Sequence, residues 1–306
     1  MSHLVDENYN PYKDSDGQLL FSPSFCVFMD MLGFSNLVLE KAKQGREVAF
    51  LNSSLKRYHR LVKEDLEEAR LLGVNDGSSS NGKPLWMTKI YSNSFIMGCP
   101  LKYQGEFDLY LVTEAIKSFQ LHLALYGFFV RGALSFGNLI MDDDLVFGTP
   151  LIEAVEGEKK ADFPRIILTE SGSNALKTFA GYYGQLQSSP HDNDYLMSEG
   201  HVFLDYLAHT IIYDSYLDTT SLARHKKVIV RTLKKFSECP KILRKYQWLA
   251  CYHNAFCDAI SPHPEFRDDF MIEGEYDQFT ILGIDGEPLQ RGVTMPEWLE
   301  DFSSGY

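Results

Sequence analysis

Short apolar runs and longer amphipathic stretches alternate along the first part of the chain. Residues 25–29 (FCVFM) form a continuous apolar run of strand length, which predicts a buried β-strand. Residues 34–72 are amphipathic and predict one helix plus part of another. Asp30 and Gly33 lie between these two elements. We therefore expect a carboxylate at the end of the first strand, immediately before a helix begins.

A second group of elements follows a loop rich in Gly, Ser and Asn at 73–84. Residues 85–98 contain two apolar runs on either side of the polar triplet at 92–94, which predicts a β-hairpin. The remaining predicted elements are a helix at 107–126, strands at 128–140 and 145–147, a helix at 149–160 and a strand at 165–169. An acidic turn at 141–144 separates two of these strands.

This order, β-α-β-β-α-β with an extra hairpin, predicts an α+β fold of ferredoxin-like type, an antiparallel sheet with helices on one face. Residues 1–20 are polar and predict a flexible N-terminal arm. After residue 170 the pattern becomes mostly helical. Helices are predicted at 201–209, 221–236 and 240–260, and strands within 270–282. We expect a core domain at 21–170 and a mostly helical extension at 171–306, either separate or integral to the same globule.

Charge and composition restrict the possible partners. The chain has 306 residues, 44% of them hydrophobic, which is ordinary for a soluble protein. Its formal net charge of −13 argues against nucleic acid as the main partner, because binding a polyanion needs a large basic surface. The N-terminus lacks a hydrophobic signal region, and no apolar stretch is long enough to span a bilayer. We expect a cytoplasmic protein with no membrane partner.

The first candidate site is the junction after residues 25–29. Asp30 would lie beside a helix N-terminus, where free amides and the helix dipole favour phosphate. Asp30 could hold Mg²⁺ or Mn²⁺, which prefer oxygen ligands. The amides that could bind phosphates belong to Gly33, Phe34 and Ser35. The alternative is a strand-end Asp that only caps the helix.

Two further polar residues lie in the neighbouring strands. Asn93 is at the predicted hairpin tip, where a two-metal site would need a second carboxylate, and the alternative is an ordinary turn asparagine. Arg131 lies in an otherwise apolar strand, where a charged side chain is rarely buried unless it is paired. Arg131 either pairs with a structural carboxylate or grips a triphosphate.

These motifs together resemble the class III nucleotidyl cyclase family. The matching segments are FMDMLGFS at 28–35, RGALSFG at 131–137 and FGTPLIEA at 147–154. The resemblance is closer to the bacterial pyrimidine cyclases of the Pycsar antiphage systems, whose pattern also includes segments similar to the hairpin tip and to EKKADFPRI at 158–166. The stretch KYQWLACYHN at 245–254 is similar to these proteins as well. The five ordered motifs cover about residues 24–170.

The resemblance implies a uridylate cyclase, a lyase that converts UTP to cyclic UMP and pyrophosphate in antiphage signalling. It implies a two-metal site for Mn²⁺ or Mg²⁺, with Asp30, Asn93 and the backbone carbonyl of Met31 as ligands. Asp30 and Arg131 would be the catalytic residues, and Arg131 would hold the β- and γ-phosphates. Leu32, Gly33, Phe34 and Ser35 would complete the nucleotide site. A homodimer is implied, while no residue identifies the downstream receptor of the cyclic nucleotide.

The chain departs from the family pattern at the positions that perform the chemistry. Asn93 stands where the second metal-binding aspartate is expected, and an amide brings no charge to a hard cation. The residues that stabilise the transition state in the animal enzymes correspond here to Ile152 and Glu156. The purine-selecting aspartate corresponds to Thr149, which favours UTP, with CTP as the alternative. The departure at Asn93 leaves a second class open, a non-catalytic module that senses a nucleotide.

Overall fold

The computed structural model describes residues 9–34, 56, 85–103, 105–180, 194–212, 216–276 and 278–289. The chain divides into two compact units, 1–191 and 192–306. The amphipathic stretch after Phe34 and the loop at 73–84 lie outside the described residues, except for residue 56. The predictions made for those segments therefore stay predictions.

The described elements of the first unit follow the predicted order. Its strands are β1 Ser22–Met31, β2 Met87–Tyr91, β3 Ser94–Pro100, β4 Val130–Met141, β5 Val146–Gly148 and β6 Ile166–Leu168. Its helices are α1 Glu106–Leu125, α2 Thr149–Ala161 and α3 Glu170–Ala180. The strand at 25–29, the hairpin and the predicted helices at 107–126 and 149–160 are confirmed. Continuous apolar runs for the strands and an apolar period of 3.6 residues for the helices were therefore sufficient signals for these elements.

The strands of the first unit lie in the order β6-β4-β1-β3-β2, and β5 pairs with β4. β1 runs antiparallel to both of its neighbours, β3 and β4. β6, however, runs parallel to β4, so the sheet is mixed and the prediction of a purely antiparallel sheet was wrong. The physical reason is the crossover through β5 and α2, because a connection containing a helix can return the chain to run in the same direction.

Helix α2 approaches the sheet closely because the residues at the contact are small. A Cβ atom added at Gly157 of α2 would lie 2.6 Å from the Cβ of Ala133 in β4. A Cβ added at Gly132 would lie 2.4 Å from the carbonyl oxygen of Phe28 in β1. Side chains larger than hydrogen at these positions would push the helix and the neighbouring strand away. Gly132 of the RGALSFG segment thus serves close packing against β1, and Gly157 serves the close approach of α2 to β4.

A polar contact fixes the start of α3 against α2. The Glu153 carboxylate accepts hydrogen bonds from the Ser171 backbone N–H at 3.0 Å and from the Ser171 hydroxyl at 2.6 Å. The same hydroxyl accepts a bond of 2.9 Å from the backbone N–H of Phe136 in β4. Burial works against the charge of Glu153, but the bonds from Ser171 outweigh it and lower the pKa of Glu153. Two helices and one strand are joined at this point.

The segment predicted to be a flexible arm packs, over residues 9–20, against the first unit. Tyr12 is 0% exposed and belongs to a core cluster with Cys26, Leu139 and Met141. The side-chain amide of Asn10 donates a hydrogen bond of 3.1 Å to the Met141 carbonyl. Tyr12, together with Leu19, which packs against the same cluster, anchors this segment by burying apolar surface.

The second unit contains helices and short strands. Helices α4 Thr219–Lys235 and α5 Pro240–Ala259 confirm two of the predicted helices. Its other elements are the strands β7 Tyr195–Ser198, β8 His201–Leu204, β9 Ile211–Ile212, β10 Tyr216–Leu217 and β11 Leu282–Gly283 and the 3₁₀ helices Tyr206–Thr210 and Asp268–Phe270. None of the described helices, in either unit, is long and apolar enough to cross a membrane.

The helix predicted at 201–209 was wrong in its first half. β7 and β8 form an antiparallel hairpin there, with Glu199 and Gly200 at φ 49° and 73° in the turn. Two successive residues with positive φ are typical of the turn that matches the twist of paired strands. A run of four apolar or aromatic residues has no helical or strand signal of its own, so the turn and the strand pairing decide its structure.

Buried aromatic and polar side chains form the core of the second unit. Trp248 and His253 are each 0% exposed and belong to this core. The His253 Nδ1 lies 3.0 Å from the His225 Nδ1, and its Nε2 lies 3.0 Å from the Phe270 carbonyl oxygen. The carbonyl can only accept, so Nε2 of His253 is protonated and its Nδ1 accepts from His225. Burial lowers the pKa of His225 and lowers that of His253 to about 4.

Candidate functional site

Strand β1 brings a carboxylate from the core to the end of the sheet. Phe25, Val27 and Met29 are almost completely buried, whereas Asp30 is only partly buried. In the strand register, Asp30 is paired with Ser94 of β3 on one side and with Arg131 of β4 on the other. Three polar side chains from three adjacent strands therefore lie side by side. The sequence predicted two of them, Asp30 and Arg131, as site residues, but not Ser94.

The tip of the β2–β3 hairpin contacts the same carboxylate. The Asn93 side-chain nitrogen donates a hydrogen bond to Oδ1 of Asp30. The Ser94 hydroxyl donates to the same oxygen at 3.0 Å. The backbone N–H of Met31 donates to the Asn93 carbonyl oxygen at 3.0 Å, which ties the hairpin tip to the end of β1. The predicted proximity of Asp30 and Asn93 is thus observed as a direct contact.

The electrostatic environment of Asp30 is a balance of opposed effects. Burial raises the pKa of Asp30, and the Ser94 hydrogen bond, the nearby Arg131 charge and a backbone hydrogen bond at Met31 each lower it. Burial outweighs the other three, so the pKa of Asp30 is raised above its ordinary value. Because burial disfavours the charged form of this carboxyl, a nearby cation would stabilise its ionised state.

Arg131 is paired with a residue that the sequence did not single out. Its Nε lies 2.5 Å from Oε1 of Glu158, and the two side chains are 25% and 7% exposed. Glu158 is in α2, next to Gly157, whose close approach to β4 brings the carboxylate to the arginine. Burial raises the pKa of Glu158, Arg131 lowers it, and the charge of Asp30 raises it further. The pairing of Arg131 with a carboxylate, one of the two predicted alternatives, is thus observed, and its role in holding a triphosphate stays a prediction.

The residues after β1 form a turn at which a helix begins. The Leu32 N–H donates to the Phe129 carbonyl oxygen at 2.8 Å, so this amide is already used by the protein. Gly33 has φ +75°, and no described atom lies within 4 Å of a Cβ added there. A helix begins at Phe34, and Ser35 lies outside the described residues. At Gly33, one of the predicted phosphate-binding positions, no part of the chain that the structure describes therefore fills the space beside the backbone.

The oxygen donors around Asp30 meet only part of the needs of the predicted two-metal site. Among the described residues, no group of three or more His, Cys, Asp and Glu side chains is placed to hold a metal ion. Asp30 offers one carboxylate, and Asn93 turns its NH₂ group towards it. Rotation of the amide would present its oxygen, and the Met31 carbonyl is adjacent in the chain. One charged and two neutral oxygens fit a single, weakly held hard cation and not a pair of cations that share carboxylates.

The positions that correspond to other family site residues lie around the start of α2. Thr149 is its first residue, Ile152 is 63% exposed, and Glu156 is also exposed. The sequence missed Glu158 and Ser94 as members of the site. The presence of Arg131 in an apolar strand was the available signal for Glu158, since a buried arginine requires an acidic partner. No local pattern indicated which acidic residue it would be.

Two solved structures have folds similar to that of this chain. No protein-family model matches the chain, and no curated protein matches it. The fold is similar to that of the guanylyl cyclase Cya2, with a TM-score of 0.39 and 10% identity over 60% of this chain and 90% of that one. It is also similar to a class III adenylyl cyclase-like ATP-binding protein from Pseudomonas aeruginosa, with a TM-score of 0.33 and 10% identity over 55% of this chain and 38% of that one. These TM-scores are too low to assign a family.

Proposed function

We propose that this chain binds a nucleoside triphosphate at the end of β1 and cyclises it to a 3′,5′-cyclic monophosphate. The observation behind this proposal is the strand register that aligns Asp30 with Arg131 and with the hairpin tip at Asn93. A partly buried carboxylate and an arginine in adjacent strands suit a cation–triphosphate complex. In the reaction the ribose 3′-oxygen would form a bond to the α-phosphorus, and pyrophosphate would leave.

Each residue has a role in this proposal. Asp30 would hold a divalent cation, with Asn93 and the Met31 carbonyl as neutral ligands. The cation, when bound, would neutralise phosphate charge and favour loss of the proton from the 3′-hydroxyl. Arg131 would hold the β- and γ-phosphates, and the turn at Gly33 would leave room for phosphate above its backbone. The Leu32 N–H would act only indirectly, by fixing the turn to Phe129.

We propose UTP as the substrate, cyclic UMP as the product and antiphage signalling as the context, with CTP as the alternative substrate. The support is the position of Thr149 where the purine-selecting aspartate is expected. We also propose a homodimer. The large apolar side chains of Phe147 and Ile152 are 62% and 63% exposed, which is unusual for adjacent elements of a monomer and supports contact with a second copy.

A second candidate function follows from the contact between Asn93 and Asp30. An amide that donates to the carboxylate satisfies it without a cation, and a site of that kind can bind a nucleotide without cyclising it. The chain would then be a nucleotide-sensing module. Product formation, and not binding, separates this candidate from the cyclase.

Two measurements test the proposal. Melting of the protein is followed with ATP, GTP, CTP or UTP plus Mn²⁺, because a ligand that binds only the native state raises the melting temperature. Products are then identified by mass spectrometry. The proposal expects the largest shift and a cyclic product with UTP, and loss of both in Arg131→Gln but not in the exposed control Lys177→Gln. A shift without product supports the sensing module, and absence of any shift contradicts both.

A further inference from the structure

Arg131 is placed between two carboxylates of different elements. Asp30 is its register partner in β1, and Glu158 approaches its Nε from α2. The charge of Arg131 lowers the pKa of both carboxyl groups, and the charge of Asp30 raises the pKa of Glu158. The three groups therefore interact electrostatically with one another. With both carboxylates ionised, the formal charge of the triad is negative. A triphosphate that approaches this triad without a cation meets net repulsion.

The ion pair between Arg131 and Glu158 has features of an exchangeable contact. Nε and Oε1 are buried and 2.5 Å apart, yet neither has a hydrogen bond of good geometry among the described residues. The arginine side chain is 25% exposed to solvent, whereas the Glu158 side chain is 7% exposed. Glu158 is therefore fixed in the protein and Arg131 is the partly accessible member of the pair. The guanidinium has five N–H donors, so it can bind a second anion with donors that Glu158 does not use.

We propose that Glu158 is a positioning residue that competes with polyphosphate for Arg131 and so makes polyphosphate binding depend on a divalent cation. The inference rests on the proposed function, because it needs the triphosphate to bind beside Asp30. In the absence of a cation, Glu158 already neutralises Arg131 and polyphosphate binds weakly. In its presence, the cation offsets the surplus negative charge of Asp30 and Glu158, and Arg131 is shared between Glu158 and the phosphates.

The chain offers matched variants for the test. Glu158→Gln removes the charge and keeps the size of the side chain. Glu158→Asp keeps the charge. Glu156→Gln removes an exposed charge from the same helix and reports the general effect of net charge on anion binding. The probe is inorganic tripolyphosphate, whose dissociation constant is measured by calorimetry in EDTA and again in Mn²⁺, after melting curves have shown that each variant is folded.

The expected result is a change in the ratio of the two dissociation constants. In EDTA, Glu158→Gln binds tripolyphosphate at least about tenfold more tightly than the unmodified chain, since one unit charge near the ligand has been removed. Its dissociation constants in EDTA and in Mn²⁺ become similar, while Glu158→Asp and Glu156→Gln keep the dependence on Mn²⁺. A merely structural role for Glu158 would alter the melting temperature and leave this ratio unchanged.

Two failures are distinguishable. If the unmodified chain binds with Mn²⁺ but Glu158→Gln binds no better in EDTA, or binds more weakly, Glu158 does not compete for Arg131 and this inference alone is overturned. If no variant binds tripolyphosphate under either condition, the proposed function fails and the inference fails with it.

Discussion

Replacement of Asn93 by aspartate should make the site depend on a cation. The amide that now donates a hydrogen bond to the Asp30 carboxylate would become a second carboxylate beside it. In the present structure the Asn93 side chain donates to Oδ1 of Asp30. Asn93→Asp replaces the donor by a second carboxylate at close range. Two unit charges about 4 Å apart repel by about 4 kcal/mol at an effective dielectric of about 20. Taking up a proton at pH 7 gives no relief, because it costs an ordinary carboxyl about 4 kcal/mol as well. The two side chains can turn apart instead, and at a separation of about 8 Å the repulsion falls to about 2 kcal/mol.

This cost has a measurable consequence for thermal stability. For a unit of this size, 191 residues, a loss of about 2 kcal/mol lowers the melting temperature by about 4–8 °C. Mn²⁺ should reverse the loss in the variant, because a cation at about 100 times its dissociation constant stabilises the native state by about 2.7 kcal/mol. The unmodified chain should respond less, since it offers the cation only one charged ligand.

The assay compares melting temperatures in EDTA and in a Mn²⁺ series for the unmodified chain, Asn93→Asp and Asn138→Asp. The last variant places the same charge at an exposed position of β4. Products formed from UTP are identified in parallel, and Asn93→Asp is expected to form more cyclic UMP than the unmodified chain. If Asn93→Asp responds to Mn²⁺ no more than Asn138→Asp does, positions 30 and 93 do not share a cation and the reasoning is refuted.

Three further predictions concern stability. Glu153→Ala should lower the free energy of unfolding by about 1–3 kcal/mol, because it removes both hydrogen bonds at the start of α3, and exposed Glu156→Ala should change it by less than about 0.5 kcal/mol; urea denaturation measures both. Gly157→Ala should cost about 1–3 kcal/mol through overlap with β4, and an unchanged denaturation midpoint would contradict that packing. His225 and His253 are neutral when folded, so the unfolded chain binds more protons below pH 6.5. The contribution of the two neutral histidines to the free energy of unfolding is therefore fully present above pH 6.5, and the free energy should fall towards pH 4 by up to about 1.4 kcal/mol per pH unit for each histidine. A free energy of unfolding that does not change between pH 7 and pH 4 would contradict the burial of two neutral histidines.

Local patterns in the sequence determined most elements of the first unit and the identity of three polar site residues. The apolar run that ends at Asp30, the polar tip at Asn93 and the arginine within an apolar strand are each visible without a structure. They are visible because burial on one face of a strand or helix repeats every 2 or 3.6 residues, so an exception to the pattern stands out.

Tertiary structure alone decided how those residues meet. The parallel direction of β6 depends on its pairing with β4, and the strand at His201–Leu204 depends on the hairpin that it forms with Tyr195–Ser198. An isolated apolar run contains no information about either pairing. The register that sets Asp30 between Ser94 and Arg131 depends on the pairing of β1 with β3 and β4. The choice of Glu158 as the arginine's partner depends on how α2 packs on the sheet. A pairing register shifted by one residue would turn Asp30 to the other face of the sheet, and only the sum of the long-range contacts excludes that shift.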